Sequence, residues 1–395
     1  MIANRWVVLG VLFLARTALG YTYQSVASVS PLLVADLAIG FAEIGALIGF
    51  FGLPGMFVAL PGGLLGKRFG DVRVAVGGLL LMACGGFLMA AADGYGLAAA
   101  GRLLTGIGSV TMTVVLVKLV GDWFEGREIV TALAILMNSW PVGIALGQIT
   151  QGAIGAAYGW QAAFGTAGAF SLCCAILIAV VFRRGVSRRE PDAVPGDRIA
   201  RGEVILIALA GLVWTLYNGG FVVIMGFAPA LLTARGLDVA DAGYLLSSAT
   251  WVYMVAIPLG GWLSERLARP NLVMLSCFAL GAASVASAPF LAEPVIAFLF
   301  VGLFIGIPTG NVMALTVECV RRQHRNTGNG IYYTMHYAGM FVVPALAGWV
   351  LDRTGTTDAA MLVGAASTAA AIGVLLLLRG LQARFAVAAG QTGLA

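Results

Sequence analysis

Gly63-Leu64-Leu65-Gly66-Lys67-Arg68-Phe69-Gly70-Asp71-Val72-Arg73 and, 198 residues further on, Gly261-Trp262-Leu263-Ser264-Glu265-Arg266-Leu267-Ala268-Arg269 are the two polar interruptions that decide how this chain folds. Each closes an apolar segment, over 42–66 and 241–264, long enough to meet the roughly 20 residues that a helix needs to cross a bilayer. The offset holds elsewhere. Gly62-Gly63 and Arg68 recur as Gly260-Gly261 and Arg266, Pro31-Leu32-Leu33 as Pro229-Ala230-Leu231, and Arg127 as Arg325. Matches at one fixed spacing mark a duplicated architecture of two parallel halves. Between them, Arg183–Glu203 is the only long polar stretch, rich in Arg, Asp, Glu, Pro and Gly, and reads as a flexible linker.

The rest of the chain is apolar. Its 395 residues are 60% hydrophobic and 10% charged, with a mean hydropathy of +0.95, outside the range of soluble domains. Twelve spans are expected, over 6–35, 42–66, 72–92, 95–120, 128–157, 160–182, 204–233, 241–264, 270–291, 294–319, 327–351 and 358–380. The sequence thus predicts an all-α polytopic membrane protein. Its domains would be an N-terminal six-helix bundle over 1–182, a cytoplasmic linker over 183–203 and a C-terminal six-helix bundle over 204–395. The first apolar stretch is too long for a cleavable signal and reads as a retained span.

Of the 23 Lys and Arg, nineteen fall at segment ends on one side, Arg235 and Arg353 lie on the other, and Arg16 and Arg102 lie within spans. Loops that retain basic residues are cytoplasmic, so both termini are expected inside, in a cytoplasmic membrane of bacterial type. The net charge of +5 therefore reports topology and does not point to nucleic acid. Cys84, Cys173, Cys174, Cys277 and Cys319 have neither Cys-x-x-Cys spacing nor nearby histidines, so no metal site or disulfide framework is expected.

Twelve spans, a central linker and a half-chain repeat resemble the major facilitator superfamily of transporters. That family's loop after the second span follows Gly-x-x-x-Asp-Arg-x-Gly-Arg-Arg. Here Gly63, Arg68 and Gly70 match and the acid is replaced by Lys67, whereas in the second half Gly261, Glu265 and Arg266 keep the acid. The resemblance implies that these loops brace helix ends and govern a cytoplasmic gate. Arg102, Gly106 and Gly108 resemble the family's Arg-x-x-x-Gly-x-Gly motif in span four. The antiporter signature of span five survives only as Trp140-Pro141-Val142-Gly143, and the glycine-rich signature of nitrate porters is missing.

Arg16 and Arg102 are the charges that cannot be moved out of an apolar segment, and no carboxylate sits at similar depth. A guanidinium at bilayer depth costs roughly 2.5–3.5 kcal/mol on insertion scales, so it is seldom kept without facing a polar cavity. Its fork of donors matches carboxylates and other oxyanions. The competing reading is that each arginine caps backbone carbonyls or snorkels to an interface. Tyr23 shares a helical face with Arg16, and Gln24 adjoins it. In span seven, Tyr217 and Asn218 precede a Gly219-Gly220 pair, and Trp214 stands at the repeat position of Arg16. His336 in span eleven is the repeat counterpart of Asn138, with Tyr333 on its face, and Asn311 follows the Pro308 kink. These ten residues (Arg16, Arg102, Tyr23, Gln24, Asn138, Tyr217, Asn218, Asn311, Tyr333, His336) are the expected substrate contacts.

Transport of a small anion follows as the first reading, with a proton or a counter-substrate as coupling partner, no cofactor and a monomer in the lipid bilayer. The alternatives are a broad-specificity exporter of apolar compounds and a transporter-like sensor without flux. No nucleophile and base pair, Gly-x-x-x-x-Gly-Lys loop or metal cluster points to an enzyme.

Overall fold

A computed structural model describes residues 4–57, 66, 68–124, 128–182, 199–291, 293–321 and 324–391. Among these, fourteen α-helices follow in order. They are α1 (Arg5–Ser28), α2 (Ser30–Leu37), α3 (Phe41–Phe50), α4 (Asp71–Ala90), α5 (Tyr95–Phe124), α6 (Ile129–Tyr158), α7 (Trp160–Val181), α8 (Arg201–Ala234), α9 (Val239–Leu267), α10 (Pro270–Ser287), α11 (Val295–Gly306), α12 (Thr309–Cys319), α13 (Arg325–Thr354) and α14 (Thr357–Gln391). Eleven helices, counting α11 and α12 as one, are long and apolar enough to cross a membrane, and a bent pair from 30 to 57 raises the number to as many as twelve.

The departures from the expected spans have local causes. The first apolar run breaks at Val29, whose φ of −120° leaves the helix just before Pro31 at the start of α2. The expected span 42–66 is helical through α3 and then turns at 51–54 around Pro54, and its residues 58–65 lie outside the described ones. In span ten, Pro308 separates α11 from α12 for the same reason. Lys118, grouped by sequence with the loop residues, sits inside α5.

The packing is duplicated like the sequence. In the first half of the chain α1 packs on α6 and α4 on α5; in the second, α8 packs on α13 and α10 on α11. Between the halves α1 and α2 touch α8, and the two most extensive contacts are α3 with α13 and α6 with α9, pairs themselves related by the repeat. Both are glycine seams. A Cβ on Gly45 would meet the Pro344 carbonyl oxygen at 2.2 Å, one on Gly348 the Phe41 carbonyl at 2.0 Å, and one on Gly243 the Gln148 carbonyl at 2.2 Å. Asp352 of α13 reinforces the first seam by accepting from the backbone N–H groups of Phe41 (2.8 Å) and Ala42 (2.7 Å) at the start of α3, where helix N–H groups lack internal partners. All these contacts lie toward the ends that carry the 38–40, 235–238 and 355–356 turns. Toward the opposite ends, no side-chain hydrogen bond or ion pair joins the halves among the described residues.

Candidate functional site

Arg16 lies about 16 Å along α1 at 1.5 Å per residue. Its Nη1 donates to the Leu136 carbonyl of α6 at 3.1 Å and reaches the Met137 sulfur at 2.9 Å. Its Nε is buried with no partner. Among the described residues no carboxylate pairs with it. The groups in its electrostatic reach are Tyr333 and Tyr337 of α13, from the other half of the chain. The cation is thus held from one side and left with donor capacity on the other.

Across from it stands an aromatic wall. Trp214 of α8 stacks on His336 of α13 with ring centroids 3.4 Å apart and planes 3° apart. Tyr332 stacks against the same indole at 4.9 Å, and Tyr333 meets it edge-on at 5.2 Å. His336 is buried and its Nδ1 has no partner, while Tyr333 remains 40% exposed. Tyr333 links the two sides, since it touches Trp214 and also lies in reach of Arg16. Asn138, half-buried on α6, turns its amide back to the Ala134 carbonyl at 3.2 Å. Arg16 and Asn138 are thus repeat-related to Trp214 and His336, and all four lie about 14 to 20 Å from the starts of their helices.

Arg102 has the surroundings of the competing reading, in which the arginine caps backbone carbonyls. It is 1% exposed, and its Nε, Nη1 and Nη2 donate to the carbonyls of Leu47 (3.0 Å), Thr22 (2.7 Å) and Tyr23 (2.6 Å). Its guanidinium also lies over the Phe51 ring, 4.8 Å from the centroid. The arginine ties α5 to α1 and α3, with each of its three nitrogens donating to backbone. Tyr23 belongs to this cluster, its ring packed on Phe51 and Trp140.

Gln24 belongs to a polar seam that the sequence reading missed. Its Nε2 reaches the Met225 carbonyl of α8 at 3.4 Å and its Oε1 is buried without a partner. Gln148 of α6 donates to the Met225 sulfur (2.8 Å) and accepts from Thr250 of α9 (2.8 Å), joining both halves. Gln151 donates to Ser25 Oγ (2.9 Å) and the Tyr21 carbonyl (3.1 Å). The spacing of Gln148 and Gln151, three apart in an apolar helix, was the available signal.

Two other candidates bond within the second half. Tyr217 is 1% exposed, stacks on Phe278 at 5.3 Å and bonds Thr309 Oγ1 at 3.1 Å, within the second half. Asn311 ties α12 to α9 through Ser264 Oγ at 2.7 Å, away from the other candidates. Asn218 stays half-buried, with no hydrogen bond to the described residues.

The sequence model of the Major Facilitator Superfamily matches this chain over residues 12–221 and 204–385. The chain belongs to that superfamily. It is therefore an integral membrane transporter and not an enzyme. It is 22% identical to the hexuronate transporter of Bacillus subtilis (strain 168), with 93% of each chain covered. It is 25% identical to the 3-(3-hydroxy-phenyl)propionate transporter of Escherichia coli (strain K12), with 88% of each covered. Among solved structures, a point mutant of the nucleoside transporter NupG superimposes with a TM-score of 0.78 at 12% identity, covering 96% of this chain and all of that one.

The superfamily's loop motif is only partly visible here. Gly63 and Lys67 lie outside the described residues. Gly70 has φ +88° and starts α4, a left-handed conformation that favours glycine. Arg68 lies over the Phe69 ring, exposed. Asp71, four residues after Lys67, is buried and pairs with Lys118 of α5 at 3.1 Å. In the second half Arg266 covers Trp262, Glu265 is exposed and Gly261 has open space beside it. The close approach falls one residue earlier, where a Cβ on Gly260 would meet the Ile307 carbonyl at the α11 break.

Proposed function

We propose that this transporter moves a small organic anion, a carboxylate or other oxyanion, by alternating access to a site between α1, α6, α8 and α13. The single observation that carries this is Arg16: a guanidinium deep in the apolar layer, without a carboxylate partner among the described residues, with Nε unsatisfied and tyrosines of the other half in reach. Retaining such a charge costs a few kcal/mol, which an anionic ligand offsets. The two relatives named above support the reading, since both are named for carboxylate solutes. His336, Tyr333, Asn138 and Asn218 complete the candidate contacts, with Gln24 at the edge of the layer.

In this reading the chain forms twelve spans in two six-helix bundles, 1–182 and 204–395, joined by a cytoplasmic linker. It is a monomer in a bacterial-type cytoplasmic membrane with both termini inside. The glycine seams then close the outer side, and the motifs around Arg68 and Arg266 operate the inner gate. Uptake of an anion into a negative interior costs about 2.3 kcal/mol per charge per 100 mV, so import is coupled to protons or to a counter-substrate.

Counterflow in proteoliposomes preloaded with an unlabelled carboxylate tests the proposal. Labelled carboxylate should accumulate transiently with the native protein and not with Arg16→Ala. Equal accumulation by both would refute the role of Arg16, and no flux of any anion would leave the sensor reading in its place.

A further inference from the structure

We propose that the solute is a monoanion with a flat apolar body, bound with its charge on the first half and its body against the second. This rests on the anion reading above and narrows it.

The inference comes from the broken symmetry of the site. Two-fold repeats place equivalent positions opposite one another across the central layer. A site built for a dianion, or for a small symmetric oxyanion gripped from both sides, would repeat its cation. Here the repeat position of Arg16 is Trp214 and that of Asn138 is His336. Both halves use these positions in the same way structurally, α1 against α6 and α8 against α13, so the architecture is kept while the chemistry differs. Arg16 engages α6 through Leu136 and Met137. Trp214 engages α13 through the stacked His336 and Tyr332.

Among the described residues no second cation contacts this wall. The other basic residue buried at membrane depth, Arg102, is occupied by three carbonyls. Within electrostatic reach of Arg16 are Tyr333, partly exposed and edge-on to the indole, and Tyr337, 6.2 Å from Tyr333 between ring centroids. Aromatic edges and faces pack planar apolar groups well and solvate a second charge poorly. The Met137 sulfur beside Arg16 continues this soft, apolar surface on the first half. One carboxylate at Arg16 and one apolar body reaching toward Tyr333 and Trp214 satisfy both sides. A second carboxylate on that side would find no second cation among the described residues.

The test is a binding comparison on the purified full chain by thermal shift, with 3-phenylpropionate, benzoate, acetate, succinate and sulfate as probes. The expected order places 3-phenylpropionate and benzoate well above acetate, with succinate and sulfate weakest. Trp214→Ala should lower the preference for 3-phenylpropionate over acetate by about tenfold, the scale of one aromatic contact, and Trp214→Phe should retain most of it. Trp214→Arg, which restores the symmetry, should raise succinate above 3-phenylpropionate. Tighter binding of succinate or sulfate than of 3-phenylpropionate by the native protein would overturn the inference, as would an unchanged preference in a folded Trp214→Ala protein. If binding then still depends on Arg16, the anion reading survives; if no probe binds, or binding ignores Arg16→Ala, both fall.

Discussion

Replacing Gly45 or Gly348 by alanine should open the end of the molecule that the structure holds closed. The Gly45 methyl would start 2.2 Å from the Pro344 carbonyl oxygen and the Gly348 methyl 2.0 Å from that of Phe41. Real Cβ contacts stay beyond 3.0 Å, so α3 and α13 must separate by 0.8 to 1.0 Å. The obstructing atoms are backbone in both cases, and no side chain can swing aside. Overpacking of this kind costs about 1–3 kcal/mol. Because the strain exists only where the two helices touch, it weighs on the closed arrangement alone and shifts the conformational equilibrium about 5- to 150-fold. Spin labels at Asp93 and Glu293, both exposed on loops at that end, would report it, with the exposed Cys84 and Cys173 replaced by serine. The distance distribution should move to longer values in Gly45→Ala and in Gly348→Ala. Gly261→Ala, with nothing within 4 Å, should match the native protein. A distribution unchanged in all three would refute the claim that these seams set which side is open.

Removing the carboxylate in Asp352→Ala frees the Phe41 and Ala42 N–H groups and should shift the same distances in the same direction by a smaller amount, about 1 kcal/mol. Arg102→Ala should lower the thermal midpoint in detergent, by an amount corresponding to about 1–3 kcal/mol, while the rank order of bound solutes stays as in the native protein; a changed order would return Arg102 to the binding site. Lys118→Met leaves the buried Asp71 without its cation and should destabilise by about 3–5 kcal/mol. Adding Asp71→Asn should recover most of that loss, as read by the same thermal scans.

Much of the architecture was legible because it depends on short-range composition. Apolar length and the placement of Lys and Arg gave the helices, and the 198-residue offset reappears as duplicated packing, with α3 against α13 and α9 against α6. Arg16 was legible for a similar reason, since an isolated charge in an apolar run needs no partner to be noticed. Arg102 was set apart in sequence by its family motif, but what surrounds it was not legible. The carbonyls of Thr22, Tyr23 and Leu47 that occupy it come from helices 55 to 80 residues away, and backbone acceptors leave no mark on residue type. The neighbours of Tyr217 were hidden likewise, because depth is readable from position along a span whereas azimuth depends on which neighbour claims the ring. The Gln148–Thr250–Met225 seam went unnoticed because amides in an apolar helix gain meaning only when a partner across the interface is known. Lys118, counted by charge with the cytoplasmic segment ends, lies within α5 and pairs with the buried Asp71, a partner that sequence does not reveal.

The measurement that bears most directly on the account is the affinity of a carboxylate probe for the native chain, Arg16→Lys and Arg16→Ala, each reconstituted in the same lipid. A charge-assisted contact is worth about 1.5–3 kcal/mol, so Arg16→Ala should weaken binding about 10- to 150-fold. Arg16→Lys, which keeps the charge and loses the fork, should fall between the two. Carboxylate binding of equal strength in all three, or stabilisation of the native protein by neutral and cationic compounds alone, would contradict the claim that Arg16 holds the solute's negative charge.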